Sequence, residues 1–173
     1  MIDSAVLDQA ERILAQVAPK EVVIVVLPKS MSVGLSGNPG MCVKTEQQKT
    51  WITGQMDNAR DYVAENLADR WNELMKAVAI NTLVIKEEVF AGTPAYQSAV
   101  IWHEYGHALH EASETGNVFL FEVATLTENR STLGDKDVRD VLNSRTAAYK
   151  GAKDPGRAEL IAFLEEQWQI KLA

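Results

Sequence analysis

The sequence lacks the features of a disulfide-bonded or membrane-spanning protein. Its 173 residues include one cysteine, which excludes an internal disulfide framework. The longest purely aliphatic run, residues 22–27, is too short to cross a bilayer. The chain also lacks a cationic start followed by an apolar segment, the pattern of a secretory signal. We therefore expect a cytoplasmic protein.

The sequence also has fewer basic than acidic residues. Lysine and arginine number 17 against 24 acidic residues, which gives a formal net charge of −7. Binding to nucleic acid or to an anionic membrane usually depends on an excess of basic side chains, so we expect neither partner. The chain is 46% hydrophobic and shows no internal repeat or long linker. This composition predicts one domain over residues 1–173, with a sizeable core.

All three histidines lie within residues 103–110, and residues 103–107 read His-Glu-Tyr-Gly-His. On a helix, residues four apart share a face, so His103 and His107 can reach one metal ion. Glu104 lies about 100° round the helix from His103, where it can deprotonate a metal-bound water instead of joining the ion. This HExxH pattern is typical of catalytic zinc sites.

The residues around the motif predict that it lies within a long helix. Thr93 is a candidate N-cap, with Pro94 at the first helical position and no helix breaker before the motif. Gly116 offers a C-terminal stop. Gly106 lowers helix propensity by roughly 1 kcal/mol relative to alanine, and its missing side chain would let another backbone or a substrate approach closely.

A catalytic zinc ion usually takes three protein ligands, so two histidines leave the site one short. His110 would lie about 10 Å along the helix axis from His103, too far to share the ion, and is either a residue near the site or a surface histidine. Glu122 is the favoured third ligand, because it interrupts the apolar run at 117–126 and an unpaired buried carboxylate is costly. Glu128 is the alternative.

The sequence His-Glu-Tyr-Gly-His-Ala-Leu-His at residues 103–110 resembles the gluzincin group of zincin metallopeptidases. Within that group it is most similar to the small ImmA/IrrE-type peptidases and the minimal gluzincins, mainly over residues 95–130. The resemblance implies zinc ligation by His103, His107 and a downstream glutamate, with Glu104 as the general base. The interval from His107 to Glu122 is shorter than the ImmA/IrrE type leads us to expect.

The hydrophobic patterns predict a compact zincin-like α+β domain, in which a small sheet with a backing helix precedes the motif helix. A helix carrying the glutamate and further C-terminal helices follow. The predicted helices cover residues 3–18, 52–78, 94–115, 117–132, 135–149 and 155–171, and the predicted strands cover 21–27, 31–35, 41–45 and 82–90.

The predicted function is zinc-dependent hydrolysis of a peptide or protein substrate, in which Glu104 activates a zinc-bound water. An extended substrate could add to a sheet edge at 82–85 or 41–45. Two alternatives stay open: a zinc hydrolase acting on a non-peptide substrate, and a non-enzymatic binding domain that retains the zincin fold. Candidates to stabilise the oxyanion are Tyr96, Arg130, Arg145 and Tyr149.

Overall fold

The computed structural model describes residues 1–29 and 37–172. It has an α+β fold, 65% helical with a small mixed sheet of three strands, which confirms the predicted fold class. The chain forms two compact units, residues 1–91 and residues 92–173. The predictions of one domain and of a zincin-like arrangement stay predictions.

The first unit contains the sheet and three α-helices. Its elements are α1 (Ser4–Ala15), β1 (Ile24–Leu27), β2 (Gly40–Cys42), α2 (Glu46–Asn58), α3 (Ala68–Ala77) and β3 (Leu83–Lys86), with 3-10 segments at Arg60–Tyr62, Glu65–Leu67 and Glu87–Ala91. Helix α1 packs on β1 and buries its apolar stripe, which agrees with the predicted amphipathic helix.

Strand β3 lies at the centre of the sheet, in the order β1-β3-β2. It pairs in parallel with β1 and antiparallel with β2, and all four residues of β1 are buried. The strands predicted at 21–27 and 82–90 therefore exist but are shorter. The first begins only at Ile24, and the second ends at Lys86 because the chain then enters a 3-10 segment. In the described residues the 82–85 segment has neighbours on both sides, whereas 41–45 contributes to an edge. The strand predicted at 31–35 lies outside the described residues.

The prediction of one continuous helix over residues 52–78 is wrong. A capping box between Thr45 and Gln48 starts α2 earlier, and α2 ends at Asn58. The helix is interrupted after Asn58 because the N-terminal segment pairs with residues 62–64. The Ile2 N–H donates to the Tyr62 carbonyl at 2.8 Å. The Ala64 N–H donates to the Ile2 carbonyl at 2.7 Å. Backbone groups used in this way cannot continue a helix.

The second unit is all-helical in the residues that the structure describes. Its helices are α4 (Pro94–Leu109), α5 (Gly116–Glu128), α6 (Arg130–Leu133), α7 (Asp135–Ser144), α8 (Thr146–Lys150) and α9 (Arg157–Trp168). Helix α5 packs against both α4 and α9, and each of the three helices has buried side chains, among them Trp102, Phe119 and Leu164. The helix predicted at 135–149 is divided into α7 and α8.

Helix α4 begins as predicted but ends earlier. The Thr93 hydroxyl accepts the Tyr96 N–H at 3.2 Å, and Pro94 occupies the first turn. The expected stop at Gly116 is wrong, because the helix ends at Leu109 and Gly116 instead begins α5. A six-residue connection, 110–115, therefore separates the two helices.

The expected close approach at Gly106 is confirmed. A Cβ atom added there would lie 3.2 Å from the Val118 carbonyl oxygen of α5, tighter than most real Cβ contacts. The missing side chain lets α5 pack closely against the part of α4 that carries the histidines. No helix in the described ranges is both long and apolar enough to cross a membrane.

Candidate metal centre

Helix α4 places His103 and His107 one turn apart on a buried face. Their ring centroids are 4.8 Å apart and the ring planes are nearly perpendicular, at 88°. Both side chains are almost fully buried. The i, i+4 spacing predicted this pairing, because it follows from the geometry of one regular helix.

A glutamate that the sequence analysis did not consider joins the two histidines. Glu114 lies in the connection between α4 and α5, and its side chain is 54% exposed. Its Oε2 atom lies 2.9 Å from Nε2 of His103, and its Oε1 atom lies 2.7 Å from Nε2 of His107. One donor atom from each of the three residues lies within 4.8 Å of the others. These residues form the candidate metal centre.

The false expectation of a helix up to residue 115 hid Glu114. On a continuous helix, a residue seven positions after His107 would lie about 10 Å along the axis from it. The chain instead leaves the helical conformation at His110, where φ is −126° and ψ is −137°. This turn brings Glu114 back over the end of α4. The only local signal was the run of polar residues at 110–115.

The hydrogen-bonding environment of the two imidazoles fits a bound cation. Nδ1 of His107 lies 2.8 Å from the Glu111 carbonyl oxygen, while its Nε2 faces Glu114. Nδ1 of His103 lies 2.8 Å from Oε1 of Glu122, while its Nε2 also faces Glu114. Each of the four ring nitrogens therefore lies 2.7–2.9 Å from a carboxylate or carbonyl oxygen.

A neutral imidazole carries one N–H and can donate from only one nitrogen. Two such rings carry two N–H groups for four nearby oxygens, so the arrangement calls for additional protons or for a cation between the Nε2 atoms and Glu114. Two neutral imidazole nitrogens and a carboxylate are common zinc ligands. The donor set thus fits the metal that the motif predicts.

Without a metal, the pKa values of His103, His107 and Glu114 are all shifted from their ordinary values. Burial lowers the pKa of His103, but its close contacts with the carboxylates of Glu114 and Glu122 outweigh burial and raise the pKa to about 10. Burial likewise lowers the pKa of His107, and its bonds to Glu114 and the Glu111 carbonyl raise it above its ordinary value. Burial raises the pKa of Glu114, whereas hydrogen bonds to the two imidazoles hold it well below its usual range. In the metal-free cluster these shifts favour the charged forms of the Glu114 carboxylate and of both imidazoles, most clearly that of His103.

Glu122 lies behind His103, on the opposite side of the ring from Glu114. It is fully buried in α5, and Nε and Nη2 of Arg145 donate to its two oxygens at 2.6 and 2.7 Å. The Tyr149 hydroxyl donates to Oε2 at 2.7 Å. Burial raises the pKa of Glu122, but the charge of Arg145 and the contact with His103 lower it to about 2.

Glu122 was favoured as third ligand because the sequence offered no partner for its charge other than a metal. Arg145 supplies such a partner, so the buried charge of Glu122 does not require a metal. Oε1 of Glu122 lies 2.8 Å from Nδ1 of His103, but the contact is too poorly aligned to be a hydrogen bond, so this buried nitrogen makes an ionic contact only. Arg145 and Tyr149 are two of the predicted candidates to stabilise the oxyanion. Here the Arg145 guanidinium and the Tyr149 hydroxyl both donate to Glu122.

Glu104 is buried beside the same cluster. Burial raises its pKa above the ordinary value, and the charges of His103 and His107 oppose this shift. A carboxylate with a raised pKa is a better proton acceptor at neutral pH than an ordinary one. His110 and Glu128 are exposed, at the ends of α4 and α5 respectively, and the structure does not bring either into the cluster.

Comparisons with protein-family models, with curated proteins and with solved structures found no match to this chain. The interpretation of the site therefore depends on its own geometry and chemistry.

Proposed function

We propose that the protein is a zinc-dependent metallopeptidase of the gluzincin kind, with His103, His107 and Glu114 as the zinc ligands. One observation carries the proposal: both buried imidazoles face an oxygen acceptor at each nitrogen, and their Nε2 atoms converge on one carboxylate. A divalent cation satisfies this arrangement without additional protons. Three protein ligands are also the usual number for a catalytic zinc ion.

A zinc ion held there would act as a Lewis acid on a carbonyl group and would make water acidic enough to attack near neutral pH. Because the Glu114 side chain is about half exposed, solvent and substrate can reach that side of the cluster. The buried side is closed by Glu122 and Arg145. The site therefore has one protected face and one accessible face.

The chain's own residues then have separate tasks. Glu104 accepts a proton from the attacking water and passes it to the leaving amine, a task for which its raised pKa suits it. The Glu111 carbonyl accepts the Nδ1–H of His107, which leaves the Nε2 lone pair available for a metal. Glu122 occupies the corresponding position at Nδ1 of His103 and orients that ring.

The experiment compares zinc-loaded wild type with Glu104→Gln and with Glu128→Gln, a matched change at an exposed acid. Each protein is assayed for bound zinc and for new peptide termini, detected by mass spectrometry in a diverse peptide library. We expect all three proteins to bind zinc equally. Turnover by Glu104→Gln should fall at least about 100-fold, as is typical for losing a general base, while Glu128→Gln keeps wild-type turnover.

Full activity in Glu104→Gln would refute the assignment of the base. Zinc-loaded wild type that produces no new termini would refute the peptidase function. A panel of ester and non-peptide amide substrates would then test the alternative that the same centre hydrolyses another bond. Equal inactivity on that panel would favour a binding domain.

A further inference from the structure

The backbone beside Glu114 is attached to a loop that is distant in sequence. This α8–α9 loop, residues 152–156, runs alongside residues 114–117. The Lys153 N–H donates to the Glu114 carbonyl at 3.0 Å, and the Gly116 N–H donates to the Lys153 carbonyl at 2.7 Å. The Asn117 N–H donates to the Pro155 carbonyl at 3.0 Å. Three successive backbone hydrogen bonds thus hold the segment that carries the proposed third ligand.

Two glycines allow this close approach. A Cβ atom at Gly116 would lie 2.1 Å from the carbonyl carbon of Gly156, a distance that real Cβ atoms do not reach. A Cβ atom at Gly156 would lie 2.5 Å from the backbone nitrogen of Asn117, and Gly156 also has a φ of +94°. The two backbones are in direct contact, so neither position has room for a side chain.

The side chain of Thr115, next to Glu114, also helps to hold this segment in place. Thr115 is almost fully buried, and its hydroxyl donates to Oε2 of Glu111 at 2.9 Å. The Glu111 carbonyl in turn contacts Nδ1 of His107. The backbone of the Glu114 segment is therefore fixed from two directions, whereas the Glu114 side chain itself is half exposed and has several rotatable bonds.

A ligand on a connecting segment loses conformational entropy when it binds a metal, and an attached backbone reduces that loss. We propose that the α8–α9 loop is a positioning element of the metal centre, which sets its zinc affinity by holding Glu114 over His103 and His107. This inference rests on the proposed zinc site. It assigns a role to Gly116 and Gly156, neither of which is a proposed metal ligand.

The test replaces Gly116 with alanine and uses Gly151→Ala as the matched control. Gly151 precedes the same loop, and a Cβ atom there would meet nothing closer than 3.6 Å. Zinc affinity is measured by chelator competition, the Co²⁺-loaded proteins are compared by visible absorption, and the metal-free proteins are unfolded in urea. We expect Gly116→Ala to bind zinc about 10–100-fold more weakly and to change the Co²⁺ spectrum, as expected for a lost supporting contact. Gly151→Ala should stay within about twofold of wild type.

A second measurement uses only wild type, so it does not depend on whether Gly116→Ala folds. Coupling between the loop and the metal is reciprocal, so zinc should slow hydrogen exchange at the Lys153 and Gly116 amides. The expected slowing is at least tenfold greater than at the Gly151 amide, which bonds within its own helix turn. Equal slowing at all three amides, or unchanged zinc affinity in folded Gly116→Ala, would overturn the inference. If wild type binds no zinc, the proposed function itself fails.

Discussion

Replacing Arg145 with methionine should destabilise the protein strongly at neutral pH. The substitution keeps most of the apolar side-chain volume but removes the cation that donates to both oxygens of Glu122. Glu122 is fully buried, so no water can take over those hydrogen bonds without a rearrangement. Among the residues that the structure describes, the Tyr149 hydroxyl and the close contact with His103 would continue to support the carboxylate.

The size of the effect follows from the pKa of Glu122. A folded-state pKa of about 2, against an ordinary value of 4.5, corresponds to about 3 kcal/mol of folding stability at pH 7. Breaking a buried ion pair by removing one partner typically costs about 3–5 kcal/mol, which agrees. Because the pKa is lowered by folding, this stability is present above pH 4.5 and is lost as pH falls toward 2. At pH 3 roughly half of it should remain.

The assay is urea unfolding followed by circular dichroism at pH 7 and pH 3. Lys150→Met is the matched control, since Lys150 is an exposed cation at the end of α8. The double variant Glu122→Leu/Arg145→Met removes both charges and should recover much of the lost stability. A loss below about 1 kcal/mol in Arg145→Met, or a loss that is the same at both pH values, would refute the reasoning.

Two further predictions concern proton release and helix α4. Zinc binding at pH 7.5 should release at least about one proton, because the pKa of His103 is raised to about 10 in the metal-free cluster and the pKa of His107 is also raised. Zinc affinity should accordingly rise with pH toward about 10. Calorimetry in buffers of different ionisation enthalpy measures this, and release of well under one proton would contradict it. Thr93→Ala should lower the free energy of unfolding by about 1 kcal/mol in urea, because it removes the cap of α4, without changing zinc affinity. A large loss of zinc affinity in Thr93→Ala would show that the start of the helix influences the site.

The parts of the site that sequence could predict are those fixed by one helix. Thr93 and Pro94 mark the start of α4, and the four-residue spacing places His103 and His107 together wherever that helix lies. The same local reasoning located most of the helices and the buried strands β1 and β3. It failed for residues 52–78, where Ile2 pairs with the chain and interrupts a regular apolar period.

The remaining parts of the site depend on contacts between distant segments. Arg145 follows Glu122 by 23 residues and lies between α7 and α8, and no local sequence pattern indicates that the two side chains meet. Glu114 reaches the histidines because the chain leaves the helix at His110 and then pairs with Lys153. From the sequence alone, Glu122 is an unpaired buried acid, and nothing draws attention to Glu114.

The central claim is that His103, His107 and Glu114 together bind zinc. Calorimetric titration of zinc into chelator-stripped wild type, Glu114→Gln, Glu122→Gln and Glu128→Gln tests it most directly. The account predicts one zinc ion in wild type and in Glu128→Gln, and an affinity at least about 100-fold weaker in Glu114→Gln. Glu122→Gln should show a smaller loss, about 10–100-fold, since Glu122 supports a ligand without being one. Wild-type affinity in Glu114→Gln, or a greater loss in Glu122→Gln than in Glu114→Gln, would contradict the account.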